Sequence, residues 1–371
     1  MVSREKIYFP NLNGLRFIAA SLVMIHHIEQ FKTINKAENL WGGITSISLM
    51  GKLGVVLFFV LSGFLITYLL LTEEKEATRI NIKQFYIRRA LRIWPLYFLI
   101  ISFAFLILPN IEIFQINGFD KETLHSNLFW RLLLIALFLP NLSFYLFGIV
   151  PYASHTWSIG AEEQFYLVWP VLMRYVRKHK LWLLLTIIIL YVGLRLFLES
   201  SFSIAIPYRH VIQAFWKSCP ISCMAIGGVF STLYFQKSGY LKYILTSSVF
   251  NLALIATSIL MVTGVYIPFI HYEFYSVLFG LIILNFSVNE KLWISLENRV
   301  LNYLGTLSYG IYMFHPIAII SALTIGSNLN LETNWFLYPL SLLLTITIAA
   351  LSYTYYESFF LKFKNHFSYK E

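Results

Sequence analysis

Charge is what this sequence has least of: only 12% of its 371 residues are Asp, Glu, Lys or Arg, against about a quarter in ordinary soluble domains. With 58% of the residues hydrophobic, a water-soluble fold of this size has no way to hide its apolar surface, which excludes that class. Cysteine is scarce too. Cys219 and Cys223 lie four apart in an apolar segment, where a helix would put them on one face without making a metal site, so they read as small core residues. No Pro/Ser-rich linker and no repeat of 20–50 residues divides the chain. No small-residue cleavage site follows the first apolar stretch, Leu15 to Ile28, and that stretch carries Arg16, His26 and His27, so it reads as a retained helix.

What the sequence does have is a series of hydrophobic stretches, each long enough to cross about 30 Å of hydrocarbon with roughly 20 residues. Helices are expected near 13–31, 52–72, 93–109, 182–198, 212–235, 243–262, 268–287, 305–325 and 335–360. The formal charge of +10 gathers in short loops between them, the pattern of membrane orientation, not of nucleic-acid binding. Segments 73–92 and 174–180 are the basic ones and are expected in the cytoplasm. The chain leaves the cytoplasm through 93–109 and must be back by 174, so only one of 128–148 and 160–175 can cross. Arg131, Pro140, Asn141 and Gly148 make 128–148 a poor span, and it is expected to be re-entrant or interfacial. The expectation is an all-α, polytopic helix bundle of about ten transmembrane helices. Both termini are then cytoplasmic, consistent with Lys362, Lys364 and Lys370, and residues 1–371 form a single membrane domain.

Ionisable groups inside such spans are costly and are functional candidates by default. Arg16 and His27 are eleven residues apart, which puts them on one helical face about 16 Å apart along the axis, while His26 points about 80° away. They line one buried path, or else Arg16 snorkels to the interface and His27 caps a polar cluster. In FYIRRALRIWPLY (85–97), Arg88 and Arg92 share a face with Arg89 in reach. These forked cations suit a pyrophosphate, or simply anchor topology and lipid headgroups. In SHTWSIGAEEQFYLVWP (154–170), Glu162 and Glu163 stand at a membrane entrance. They can position a sugar or orient His27, or else merely favour a helix start through its dipole, with Ser158 as N-cap. Ser62 and Gly63 in GVVLFFVLSGFLIT permit close packing, and the absence of G-x-S-x-G argues against a nucleophilic serine. His315 before Pro316 reads as a core histidine at a proline kink.

Five strings taken in order resemble the acyltransferase type 3 family, the membrane O-acyltransferases that include the bacterial O-antigen acetylases. They are NGLRFIAASLVMIHH (13–27), LFFVLSGFLIT (57–67), FYIRRALRIWPLY (85–97), HTWSIGAEEQFYLVWP (155–170) and LGTLSYGIYMFHP (304–316). The resemblance covers nearly the whole chain. It implies a ten-helix enzyme of the bacterial inner (cytoplasmic) membrane that takes an acyl group, usually acetyl, from a coenzyme A thioester on the cytoplasmic side. The group goes to a hydroxyl of a carbohydrate or lipid-linked glycan, a cell-envelope polysaccharide modification. It also implies Arg16, His27, Glu162 and Glu163 as the catalytic set and Arg88, Arg89 and Arg92 as donor contacts. No metal and no permanently bound cofactor are expected; acetyl-CoA or another acyl-CoA enters as substrate, and membrane lipids but no nucleic acid are partners. Family members often carry an acidic residue where PISCMAIGG (220–228) has Ser222, and some carry a fused extracytoplasmic domain that this chain is expected to lack. The competing class is a transporter or flippase for an anionic or sugar-linked solute, but paired halves with matching broken helices are not visible.

Overall fold

The computed structural model describes residues 7–40, 43–116, 118–119, 121–364 and 367, with no strand among them. Helices of eight or more residues are α1 (Leu12–Ile34), α2 (Thr45–Ala77), α3 (Ile82–Ser102), α4 (Leu128–Ala136), α5 (Pro140–Phe147), α6 (Trp157–Tyr175) and α7 (Lys180–Glu199). They continue as α8 (Arg209–Lys217), α9 (Ile221–Phe235), α10 (Ser247–Thr263), α11 (His271–Val288), α12 (Arg299–Thr306), α13 (Ser308–Leu329) and α14 (Asn334–Ser352). The expected spans are helical, but 212–235 is divided into α8 and α9. Among the described residues, seven helical stretches are long and apolar enough to cross a membrane: 45–77, 82–110, 180–199, 209–235, 271–288, 308–329 and 334–364. The other three are α1 and α6, which carry ionisable side chains, and α10, which has 17 residues.

The bundle is built around α2, which packs on α1, α9 and α11. Its approach to α9 is backbone on backbone: a Cβ on Gly63 would lie 1.9 Å from the Met224 carbonyl oxygen, and one on Gly227 2.1 Å from that of Val60. Glycine is required at both places by that contact, the close-packing role its sequence context suggested for Gly63.

Segment 128–148 is not one helix. Phe138 adopts φ 57° and splits it into α4 and α5. Arg131 is buried, and its guanidinium donates to the carbonyls of Ser126 (2.9 Å), Gly148 (3.2 Å) and Phe147. These carbonyls lie just before α4 and at the end of α5, so the buried arginine ties together the outer ends of the two short helices. The chain also breaks ahead of Pro220, so Cys219 precedes α9 and Cys223 lies within it; both are buried free thiols, core residues that do not share a helix.

The start of α1 is held by the loop after α11. Asn11 donates from its side chain to the Phe286 carbonyl (2.9 Å) and accepts from the Leu296 N–H (2.6 Å). Glu297 accepts from the Asn11 N–H (2.7 Å), Asn302 (2.6 Å) and the Tyr8 hydroxyl. Burial pushes the Glu297 carboxyl up, but these donors outweigh it and hold it below the ordinary carboxylate value. Arg16 is thereby fixed one turn into the bundle.

Candidate functional site

Two cavities lie back to back inside the bundle. One, of about 180 Å³, has Arg16, Arg89, Arg92 and Glu162 in its wall, with Ser62 and Tyr166. The other, of about 540 Å³, is lined by His26, His27 and His155, with Lys52, Lys217 and Trp157 towards its rim. Val55, Phe59 and Tyr312 line both. Arg16 and His27 therefore do not line one path: each opens onto its own cavity, with a thin shared wall between.

In the arginine cavity, Arg16 Nη1 donates to Asn13 Oδ1 (2.9 Å). Arg89 lies over the rings of Tyr166 (5.4 Å) and Phe85 (5.6 Å). The Tyr166 hydroxyl donates to Glu162 Oε2 (3.1 Å) and is hydrogen-bonded to Ser62. Among the described residues neither Arg89 nor Arg92 has an ion-pair partner. Three arginines facing one carboxylate leave this cavity cationic.

Arg88 stands elsewhere. Its guanidinium is paired with Glu73 (3.2 Å) and donates to the Phe367 carbonyl (3.0 Å), and it lines neither cavity. Glu163 also lies outside both walls and accepts from Trp94 Nε1 (3.1 Å). Neither glutamate owes its place to a helix start: α6 has no acidic residue in its first turn, and Glu162 and Glu163 sit in its second. A dipole effect fades beyond the first turn. Ser158 is not the N-cap either. The preceding turn, Ser154–Thr156, delivers Thr156 to that position, and Ser158 instead shares a hydrogen bond with the Tyr312 hydroxyl (2.7 Å).

In the histidine cavity, His26 turns to α2, where its ring is 3.1 Å from the Ile47 carbonyl and fills the space above Gly51. His27 turns the other way and meets His315 of α13, Nδ1 to Nε2 at 2.9 Å. His155 stacks edge-on against His315 at 5.1 Å, and among the described residues neither of its ring nitrogens has a hydrogen-bond partner. Among the described residues no group of acidic, histidine or cysteine side chains has the arrangement of a metal site. Spacing along the chain gives no sign that His155, Tyr312 and His315 surround His27. The one available signal is that each lies within a string that carries the family resemblance.

Ser222, which stands where the family resemblance would often place an acidic residue, donates to Glu273 Oε1 of α11 (2.8 Å). Arg195 of α7 binds both oxygens of the same carboxylate, at 3.2 and 3.1 Å. A carboxylate thus reaches this place from a different helix.

This juxtaposition of strings and cavities agrees with the comparison to known sequences: the acyltransferase domain family matches residues 9–354. The chain belongs to that family. Its relatives include the Staphylococcus aureus (strain COL) protein named "Putative O-acetyltransferase", 27% identical over 383 residues that cover 96% of this chain and 58% of that protein. Another is the Bacillus subtilis (strain 168) "Putative peptidoglycan O-acetyltransferase YrhL", 27% identical over 94% of this chain and 54% of its own length. The peptidoglycan O-acetyltransferase OatA of Listeria monocytogenes is 31% identical over 193 residues, 48% of this chain and 27% of that protein. The chain spans a little over half the length of the first two. No solved structure matches it.

Proposed function

We propose that this chain transfers an acyl group, acetyl in the first instance, from acyl-coenzyme A bound in the arginine cavity to a hydroxyl presented in the histidine cavity. The observation that carries this reading is the pair of cavities sharing Val55, Phe59 and Tyr312, with cations in one and His27 in the other. Arg89 and Arg92 hold donor phosphates through two-point contacts, and Arg16 holds phosphate or polarises the thioester carbonyl. His27 takes the proton of the acceptor hydroxyl as that oxygen bonds to the acyl carbon; the carbon–sulfur bond breaks, and the proton passes to the departing thiolate. A route through acyl-His27 uses the same atoms in two steps, and trapped acyl-protein with burst kinetics separates the two. Glu162 orders the arginines through Tyr166, and Glu163 supports α3 through Trp94.

The setting that goes with this reading is a single domain over residues 1–371 in a bacterial inner membrane, with ten crossings, both termini cytoplasmic and the donor entering from the cytoplasm. The acceptor class is a carbohydrate or lipid-linked glycan of the cell envelope, the class named for the peptidoglycan O-acetyltransferases among the relatives. The test is mass analysis of envelope glycans from cells with and without the chain. An added acyl mass on one sugar that depends on the protein and is absent with His27→Ala is the expected result. Identical glycans, together with transport of a solute by the purified protein in vesicles, would replace the enzyme by a transporter.

A further inference from the structure

His315 is buried inside α13, one residue before Pro316. Proline has no N–H, so the carbonyl four residues earlier loses its helical donor. That carbonyl belongs to Tyr312. A side chain takes the place of the missing donor: His315 Nδ1 lies 2.6 Å from it, while the hydroxyl of Tyr312 points away to the His155 carbonyl (2.9 Å). A carbonyl only accepts, so His315 Nδ1 carries the proton and, in the neutral ring, His315 Nε2 is an acceptor. The group 2.9 Å from His315 Nε2 is His27 Nδ1. It must therefore donate, which leaves the lone pair of His27 on Nε2.

We propose that His315 is a positioning residue that fixes His27 in the Nδ1–H tautomer, so that Nε2 is the atom that takes the acceptor proton. This rests on the reading of His27 as base. Three links make the relay: the proline frees a carbonyl, the carbonyl sets the His315 tautomer, and His315 sets that of His27. Among the described residues no carboxylate is hydrogen-bonded to the pair, so the ring that receives the proton is oriented by a neutral partner whose own basic nitrogen can share the charge. His26 and His155 flank the pair, with ring centroids 5.1 Å from His27 and His315 respectively, but neither is hydrogen-bonded to it. The Val23 carbonyl, one turn back on α1, faces the His27 ring and is the rival anchor for its tautomer.

Two variants separate these possibilities. His315→Gln places an amide oxygen near the old Nε2 position and keeps an acceptor for His27; His315→Leu keeps bulk and removes it. The first measurement is nitrogen-15 NMR of the histidine-labelled protein in detergent, with the His27 signals assigned by their loss in His27→Ala. The wild type and His315→Gln should show His27 protonated on Nδ1, and His315→Leu should show a mixture or the other tautomer. The second is turnover with acetyl-CoA: His315→Leu should lower kcat on the order of 100-fold with unchanged donor affinity, and His315→Gln should stay within about tenfold of wild type. Protonation of wild-type His27 on Nε2 overturns the proposal, as does an unaltered tautomer in His315→Leu, the result expected if Val23 is the anchor. The tautomer is read without turnover, so an inactive wild type would remove the proposed function and leave this inference to stand or fall on the spectrum.

Discussion

The hydroxyl of Tyr312 and the hydroxyl of Ser158 lie 2.7 Å apart on the wall between the two cavities, tying α13 to α6. Tyr312 also reaches the His155 carbonyl at 2.9 Å. Tyr312→Phe removes this bond while Ser158 keeps its own to the His155 carbonyl (3.2 Å), so the change should cost about 0.5–1.5 kcal/mol of stability, the net worth of a hydrogen bond. Combined with Ser158→Ala, the losses should fall short of their sum, because the two side chains share one bond. Thermal unfolding of the single and double variants in detergent measures this; strictly additive losses would mean that the bond carries no coupling.

Donor affinity should follow the cavity wall. Arg92→Lys and Arg89→Lys keep charge but lose the fork, and each should weaken acyl-coenzyme A binding by about 1.5–3 kcal/mol, typical of a charged hydrogen bond. Arg88 is paired with Glu73 outside that wall, and Arg88→Lys should bind the donor as wild type does. Calorimetry on the purified variants gives all three values. A loss confined to Arg88→Lys would move the donor to the other side of α3.

His27→Ala should lower turnover by about 10²–10⁴-fold, the usual worth of a positioned base, while donor affinity holds. His26→Ala should keep most of the activity, since that ring packs on Gly51 and Ile47. Equal losses would mean that both histidines act on the acceptor.

Single introduced cysteines should label from the cytoplasm at residues 73–84 and 176–181 and from outside at 112–126. The native Cys219 and Cys223 are buried and give little background. Outside labelling of 176–181 would add a crossing in 128–148, against its division into α4 and α5.

Gly63→Ala should destabilise the protein by about 1–3 kcal/mol, as overpacking does, because its new methyl group would meet a backbone oxygen that cannot step aside. A variant that melts with the wild type would mean that α2 and α9 can separate at little cost.

Sequence periodicity made the helices visible, and it also separated the directions of His26 and His27, because 100° per residue needs no knowledge of neighbours. Who stands opposite is another matter. His27 meets His315 from 288 residues away, and no local spacing encodes that meeting. The same gap hid the pairing of Arg88 with Glu73, since a helix face predicts a direction and not its occupant. Ser158 looked like a cap because serine before an apolar run usually is one; a short turn ahead of α6 moved the helix start by two residues. For the paired glutamates the dipole account drops out, because they sit in the second turn of α6.

Helix α2 has 33 residues, about 50 Å at 1.5 Å per residue, and the hydrocarbon it crosses is about 30 Å thick. The surplus turns at its far end carry Glu73 and Glu74, which clasp Arg88 at the head of α3 and Lys180 at the head of α7. A single mast thus moors two basic helix starts, Arg88 and Lys180, that lie 92 positions apart in sequence (180 − 88). Until Lys180 has been made, Glu74 lacks this partner, so the second mooring closes only when about half of the 371 residues exist. Severing it by Glu74→Gln is a way to ask whether the order of insertion, and not only its final charge balance, keeps this bundle the right way up.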